Sequence, residues 1–303
     1  MPNNKFRNER ITLRSLQTYY NTYASASGAT KEQAEANLLA FLHRISLFDF
    51  NGNEKIIIKK SSLLTDGTFT SIKKNSRPDI TNIATHLLNR WWAGDTNPNL
   101  LRGIHRQRSK SAKTDRKHIS YTLDTSYSFH VSSHYSGNGS LHNGQWWPLQ
   151  ICAHRDGAHG EVEAGISGLK AKGAYSIVVS GAGYADIDEG ERLQYCGTPS
   201  PDASKPSFST QLMITAKDKG NPLRVLRSAK VGSKYKPKMG LRYDGLYDIK
   251  DAEVVEPVTV LYRFLLERCK GQEPICWEGA TKRPHQVELD ALERDQEMRK
   301  LAV

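Results

Sequence analysis

Apolar positions recur with two different periods along this chain, and the change falls near its middle. In the first third, Ala34, Leu38, Leu39, Leu42, Ile45 and Leu47 follow one another at roughly helical spacing. Thr30 and Gln33 stand ahead of them with the spacing of a capping box, in which each side chain satisfies a free backbone N–H. After the turn-like Asn51-Gly52-Asn53, a second helical stripe opens at Pro78-Asp79 and runs through Ile80, Ile83, Ala84, Leu87, Leu88 and Trp91. From Trp146 the pattern changes to short β-type runs broken by glycines. Tyr175 to Val179 is a compact apolar strand, and Leu223, Val225 and Leu226 suggest another. Val258, Val260, Tyr262, Phe264 and Leu266 alternate strictly and predict a third. Several strands with little helix between them argue for a sandwich or barrel, followed by a charged helical tail over 285–301 that packs outside it.

Charge sharpens this division. The 303 residues carry a formal net charge of +11, which suits polyanionic partners without saying anything about fold. Residues 1–150 hold 20 Lys+Arg and 10 Asp+Glu, whereas 151–303 hold 23 and 22. Within that near-neutral half, 205–250 carries 11 basic and 3 acidic residues, the mark of a localised phosphate-facing band. Residues 102–118 hold seven basic side chains without apolar periodicity, and a polar stretch follows to about 145. The region 101–145 therefore reads as a linker, first basic and then polar. Its basic part fits a nuclear-import signal, a DNA-contacting arm or a merely solvated tether. No run reaches 18 apolar residues, so no transmembrane helix is expected, and the polar opening does not resemble a secretory signal. The four cysteines form no C-x-x-C pair, which points to a reducing compartment and away from zinc.

Catalytic signatures are sparse. His154-Arg155-Asp156 copies a kinase triplet, but none of the companion motifs is present. Gly181-Ala182-Gly183 lacks the following helix that a dinucleotide fingerprint needs. Cys196 could act as a nucleophile if His154 or His159 approached it, although a small buried cysteine is the plainer reading. Neither a metal site nor a cofactor is expected, and the chain is read as a non-enzyme.

What stands out is an ordered series of segments. Gly157-Ala158-His159 and Ala164-Gly165-Ile166 lead into the run from Gly173 to Gly181 and then Gly183 to Gly190. Tyr195-Cys196-Gly197, Leu223 to Ser228, Ser233-Lys234-Tyr235, Gly240 to Tyr247, Tyr262 to Arg268 and Trp277 complete it. This series resembles the SRA domain, also called YDG after Tyr243-Asp244-Gly245. The resemblance covers roughly 150–280. Residues 63–92 more faintly resemble the leucine/tryptophan helical modules of transcription elongation factors, which dock protein partners. An ordinary helical bundle fits them too.

The SRA resemblance implies an α+β fold: a curved β-barrel with flanking helices, here preceded by a small all-α domain. The expected organisation is a helical domain at 1–100, the linker at 101–145, the SRA domain at 146–280 and a helical tail at 281–303. It further implies binding of double-stranded DNA carrying 5-methylcytosine or another modified cytosine, with the base swung out of the duplex, and residence in the nucleus. Carried over by position, Tyr184 and Tyr195 would sandwich the base, Asp186 would accept from its exocyclic amine, and Cys196 and Thr198 would line the pocket. Asp186 and Asp188 also suit turn-capping roles. Arg242 and Asp244 suit hydrogen bonds that hold the barrel together, and Tyr243 and Tyr247 suit the core. Arg224, Arg227, Lys234, Lys236 and Lys238 fall in the basic band and would neutralise phosphates. Family members specialised for hemimethylated CpG have an apolar thumb and a finger with Asn and Arg. Here the thumb position is Glu163, and the finger region, about 199–211, offers Lys205 instead. Two other readings compete: a scaffold that works only through protein contacts, and a nuclease or other DNA-modifying enzyme with an unrecognised catalytic part in 1–145.

Overall fold

The computed structural model describes residues 13–49, 71–72, 74, 76–110, 117–181 and 186–301. It divides into two compact units, residues 1–99 and 100–303.

The first unit contains α1 (Leu13–Ser25), α2 (Ala29–Ile45) and α3 (Pro78–Trp92). Their apolar stripes meet in one core, where Leu16, Leu38, Leu42, Ile80 and Ala84 are fully enclosed and Trp91 is 2% exposed. Burying a stripe of this kind, rather than helix propensity, is what stabilises helices of three to four turns. The Tyr19 ring stacks on Phe41 at 4.5 Å, and Glu35 pairs with Arg77 at 2.6 Å. The stripe predicted from Ile80 to Trp91 is therefore the buried face of α3. The capping box is not formed. The helix begins one residue before Thr30, with Gly28 in the cap position, and the Thr30 hydroxyl donates to the Ser27 carbonyl. The Asn51-Gly52-Asn53 turn lies outside the described residues.

In the second unit β1 (Ile104–Lys110) and β2 (Lys117–Leu123) form a separate antiparallel ribbon. There follow β3 (Trp146–Trp147), α4 (Gln150–Arg155), β4 (Ile166–Leu169), β5 (Gly173–Val179), β6 (Ile187–Asp188) and β7 (Arg192–Cys196). Next come α5 (Phe208–Asp218), β8 (Leu223–Ser228), β9 (Leu241–Glu256), β10 (Leu261–Arg268) and α6 (Gln286–Leu301). The main sheet runs β4-β5-β8-β9-β10-β7-β6, with β3 on β9. Among the described residues only β5 and β8 pair in parallel, and α5 lies in the crossover between them. The fold is thus α+β, as the sequence suggested. Among the described residues the strand order is an open path rather than a closed barrel. Curvature comes from β9, which starts against β8 and β3 and ends against β10, where two register shifts bend the ladder.

Both faces of the sheet's middle are covered. Ile177, Val179 and Val225 point into one core with Leu212, Met213 and Ala216 of α5. Val178 and Leu226 point the other way, towards Trp146, Trp147, Ile151 and Leu292. That is why β5 and β8 are buried at every position instead of alternating.

Three expectations change here. Residues 101–145 are no linker. They carry the β1–β2 ribbon, while Leu101, Ile104 and Leu141 belong to a core. The last strand starts at Leu261, because Pro257–Val260 form the turn; Val260 sits at φ 51 and Val258 is 76% exposed. The tail helix packs more closely than expected: Leu292 is buried, and Asp295 accepts the Leu100 N–H at 2.6 Å.

Buried ion pairs cross these layers. Asp244 of β9 accepts from Arg242 at 2.5 and 2.9 Å and from Arg227 of β8 at 2.8 Å, with all three side chains at 0% exposure. Arg227 also grips Asp188 through two bonds of 2.9 Å each. The two arginines and two aspartates balance, and removal of Asp244 leaves two buried arginines to one aspartate, with Arg242 losing its ion-pair partner. Asp244→Ala should therefore cost about 3–5 kcal/mol in stability, read by urea unfolding of the full chain. A loss below about 1 kcal/mol, the scale of a surface pair, would contradict this picture.

His159 is the second buried polar anchor. A carbonyl can only accept, so Nε2–H donates to Ala164 O at 2.9 Å and Nδ1 accepts from the Ser176 hydroxyl at 2.8 Å. Desolvation lowers its pKa from 6.5 to about 4. Below pH 6.5 the unfolded chain takes up a proton that the folded one refuses. This contribution to stability is complete above that pH and falls away towards pH 4, by up to about 3 kcal/mol. A His159→Gln variant should show a shallower loss over the same window in pH-dependent urea unfolding. Parallel curves would refute the assignment.

Candidate nucleic-acid interface

The residues predicted to hold a base lie where β6, β7 and β10 meet. Cys196 ends β7 directly opposite Arg263 of β10, and Ile187 of β6 faces Gln194 on the other side. Asp186 precedes β6 and reaches back across this edge, so that its Oδ1 accepts the Cys196 backbone N–H at 2.8 Å. Burial of the carboxyl raises its pKa above the ordinary value, and the Cys196 N–H pulls the other way. The Cys196 thiol is pushed up, first by burial and then by the Asp186 charge, while Arg263 beside it acts in the opposite sense. A thiol in that setting is a weak nucleophile.

Tyr195 points to the opposite face from Cys196, as alternation along a strand requires. Its ring is 6% exposed, and its hydroxyl donates to the Gly165 carbonyl at 3.2 Å. Thr198 is exposed in side chain but fixed in backbone. Its N–H donates to Thr210 Oγ1 at 2.9 Å, and its carbonyl accepts from Ser207 Oγ at 2.8 Å. Tyr184 lies outside the described residues. The structure thus brings Asp186, Tyr195, Cys196 and Thr198 to one corner of the sheet.

That corner is held from behind. Asp188, two residues after Asp186, is gripped by Arg227, whose Nη2 also donates to the Gly190 carbonyl at 2.6 Å. Tyr247 donates to the same carbonyl at 2.8 Å. Gly190 has φ 81, and a Cβ there would stand 2.6 Å from the Tyr235 ring, so no other residue fits this turn. Glu163 is exposed in the loop before β4. The bonds from His159 to Ala164 and from Tyr195 to Gly165 fix the end of that loop. Lys205 is 72% exposed and pairs with Asp202 at 3.2 Å.

The predicted phosphate contacts separate into two groups. Lys234, Lys236 and Lys238 are exposed in the turn between β8 and β9, with the Lys234 ammonium 5.1 Å from the ring centroids of both Tyr235 and Trp277. Arg224 and Arg227 do not belong with them. Both are 0% exposed. Arg224 donates to the carbonyls of Ser133, Tyr135, Gly137 and Ala158, and its guanidinium lies 4.0 Å from the Tyr135 ring centroid. Arg227 is committed to Asp188, Asp244 and Gly190. Their charge neutralises and stitches the interior, and neither can reach a phosphate. Conversely, Arg263 was not expected at the site. Only the pairing register of β10 against β7 places it there, and no local motif announces it.

Residues 134–272 match the family model of the SAD/SRA domain. Among curated proteins, the chain is 33% identical over 154 residues to the UHRF1-like protein of Cryptococcus neoformans var. grubii, covering 44% of this chain and 45% of that one. It is 34% identical over 158 residues to the E3 ubiquitin-protein ligase ORTHRUS 2 of Arabidopsis thaliana, covering 46% and 24%. The match thus spans less than half the length of either relative. Among solved structures, the SUVH5 SRA complex with methylated CHH DNA aligns at 27% identity and TM-score 0.38, covering 45% of this chain and 93% of that one. A modification-dependent restriction endonuclease, TagI, aligns at 25% identity and TM-score 0.41, covering 46% and 54%. Together with the buried Tyr243-Asp244-Gly245 segment at the centre of the sheet, the match identifies residues 134–272 as an SRA domain.

Proposed function

We propose that this chain reads modified cytosine in DNA, taking an extruded base against the Asp186 corner, and that it acts by binding alone. The observation that carries the reading is Asp186. One carboxylate oxygen is tied to the Cys196 N–H, and the Cys196 thiol is a further hydrogen-bond partner of the carboxylate, so the group is fixed at the end of β7. An oriented carboxylate of this kind accepts from the N4 amine of cytosine and repels thymine, which presents a carbonyl there. Tyr195, whose ring is 6% exposed, and Tyr184, which follows Gly183 in sequence, are the two residues that would stack on the base. Stacking is worth roughly 1–3 kcal/mol per base and offsets the few kcal/mol lost on unstacking. Thr198 and the Cys196 backbone complete the wall.

A methyl group adds only about 0.8 kcal/mol by burial, so the preference for a modified base is modest unless its absence leaves a void. The Glu163 thumb position and the Lys205 finger give no reason to expect strict hemimethyl selectivity. Lys234, Lys236 and Lys238 would neutralise phosphates. Nuclear residence follows from a chromatin substrate. The 1–99 unit, with Trp92 65% exposed beside a well-formed helical core, is the part read as docking a chromatin or transcription partner.

Equilibrium binding to a short duplex with one 5-methylcytosine, beside its unmethylated twin, tests the reading. Roughly tenfold preference is expected, of the size a methyl-scale difference gives. Asp186→Ala and Tyr195→Ala should both remove it. Equal affinities in the parent chain would overturn the reading in favour of a scaffold that no longer takes a base.

Acid supplies a second check. Asp186 must be ionised to accept from the amine, and burial makes it protonate at higher pH than an ordinary carboxylate. The methyl preference should therefore weaken as pH falls towards the carboxylate range, before exposed carboxylates titrate. An Asp186→Asn variant should lack that pH dependence. A preference that stays flat through this range would exclude a role for the Asp186 charge.

A further inference from the structure

We infer that Thr210, a buried residue of α5, is a positioning residue of the proposed pocket, and that its hydroxyl clamps the Thr198 wall on which discrimination of the modified base depends. The inference rests on the base-reading proposal and names the part of the fold that sets its selectivity.

The wall needs a clamp because it lies where the chain leaves the sheet. β7 ends at Cys196, and the Gly197 N–H still donates to the Tyr262 carbonyl at 2.8 Å. Ser200 N–H then returns to the Thr259 carbonyl at 2.6 Å. Thr198, between them, turns both of its backbone polar groups to the start of α5. Its N–H donates to Thr210 Oγ1 at 2.9 Å. Its carbonyl accepts from the same hydroxyl at 2.9 Å and from Ser207 Oγ at 2.8 Å.

The proton count closes this arrangement. A hydroxyl has one proton to give and lone pairs with which to accept. Thr210 gives its proton to the Thr198 carbonyl and takes the Thr198 N–H, so a single oxygen holds both ends of one residue. Ser207 Oγ accepts the Thr210 N–H at 3.2 Å as the helix cap, and its own proton lies between the Thr198 carbonyl and Thr210 Oγ1, 3.0 Å away. A Cβ at Gly197 would stand 2.5 Å from Thr210 Oγ1 and 3.2 Å from its Cγ2, so the approach of α5 to the wall requires that glycine.

Thr210 is 0% exposed and meets neither base nor phosphate. Its effect is to refer the wall to the core. Leu212, Met213 and Ala216 of the same helix pack in one core with Tyr195 and Phe264. Thr198 and Tyr195, a wall and a ring proposed to enclose the base, are thus held by one packed body. Methyl contact is short-ranged, and a gap of about 0.5–1 Å forfeits about a quarter to a half of it. A wall loosened by that much loses discrimination, whereas phosphate contacts from the exposed lysines do not feel the change.

The test compares the full chain with Thr210→Val, which keeps the shape and removes the hydroxyl, and Thr210→Ser, which keeps the hydroxyl. Equilibrium binding to short duplexes with and without one 5-methylcytosine gives the affinity ratio, and amide hydrogen exchange gives the protection of the Thr198 N–H. Thr210→Val should lower the ratio from roughly tenfold to about threefold, as a half-lost contact implies. It should also speed exchange at Thr198 and leave affinity for the unmethylated twin unchanged. Thr210→Ser should keep both the ratio and the protection. Ser207→Ala, which removes the second bond to the Thr198 carbonyl, should lower the ratio in smaller measure. It decides the matter if the Val variant does not fold, since an unchanged ratio there overturns the clamp. So does an unchanged ratio in folded Thr210→Val, a loss of affinity shared equally by both twins, or a Ser variant that fails like the Val one. A parent chain that does not distinguish the twins overturns the base reading itself, and the clamp with it; a parent that does, beside a Val variant that matches it, overturns the clamp alone.

Discussion

The second unit is organised around one buried charge arrangement, the pairing of Arg227 and Arg242 with Asp188 and Asp244. Desolvating four charges is expensive, and close pairing offsets that cost only when every member is present in good geometry. Arg227 meets this condition through bonds to both aspartates, the Tyr247 hydroxyl and the Gly190 carbonyl. Its guanidinium is held well above its ordinary pKa, chiefly by Asp244 once the opposing desolvation is overcome. The arrangement ties β8, β9 and the turn before β7 into one body. The Asp and Gly of the YDG motif then have separate physical reasons. Asp244 is the acceptor that both arginines share. Gly245, at φ 102, lets the backbone pass where a Cβ would stand 2.4 Å from the Gln272 side chain.

Function inherits this rigidity. Asp186 lies two residues from Asp188, so the carboxylate proposed to meet a base is placed by an ion pair it does not join. Tyr195 and His159 act similarly on the loop that ends at Gly165, each through a single hydrogen bond to its backbone. A base-holding corner has to keep donors and acceptors within a fraction of an ångström of a fixed edge, and loops alone do not do that. Here the polar interior extends outward to the site, and the exposed lysines sit on the turn that follows the same buried strand.

The parts of the fold that were legible in the sequence are those where burial is one-sided and periodic. Ile80 to Trp91 and Tyr175 to Val179 declared themselves because apolar side chains at a fixed period have few other uses. The buried arginines did not. In Leu223 to Ser228 two arginines interrupt an apolar strand, and charge alone suggested a surface. Only the partners, carbonyls from Ser133 to Ala158 around Arg224 and carboxylates around Arg227, make burial affordable. Those partners come from distant segments that one sequence does not align. The 101–145 stretch was misjudged for a related reason. A ribbon anchored only at its root buries Ile104 and leaves the rest polar, so its composition resembles that of a tether.

On the proposed reading, two kinds of DNA contact have to be weighed separately. Phosphate contacts from basic turns add affinity that falls steeply with salt and is indifferent to the base. The Asp186 corner, as proposed, would contribute discrimination, on a scale set by one methyl and one hydrogen-bonding edge. If the phosphate term dominated, the chain would coat DNA and the modification would hardly matter. The interior limits that outcome, because it holds Arg224 among carbonyls and Arg227 and Arg242 against carboxylates, away from any phosphate, and leaves Lys234, Lys236 and Lys238 exposed on the turn after β8. Lysine is a strongly hydrated point charge and a weaker bidentate partner for phosphate than arginine. On the proposed reading, with Arg224, Arg227 and Arg242 held inside, the exposed lysines would hold the backbone loosely enough for a small difference at the base to decide where the domain stays.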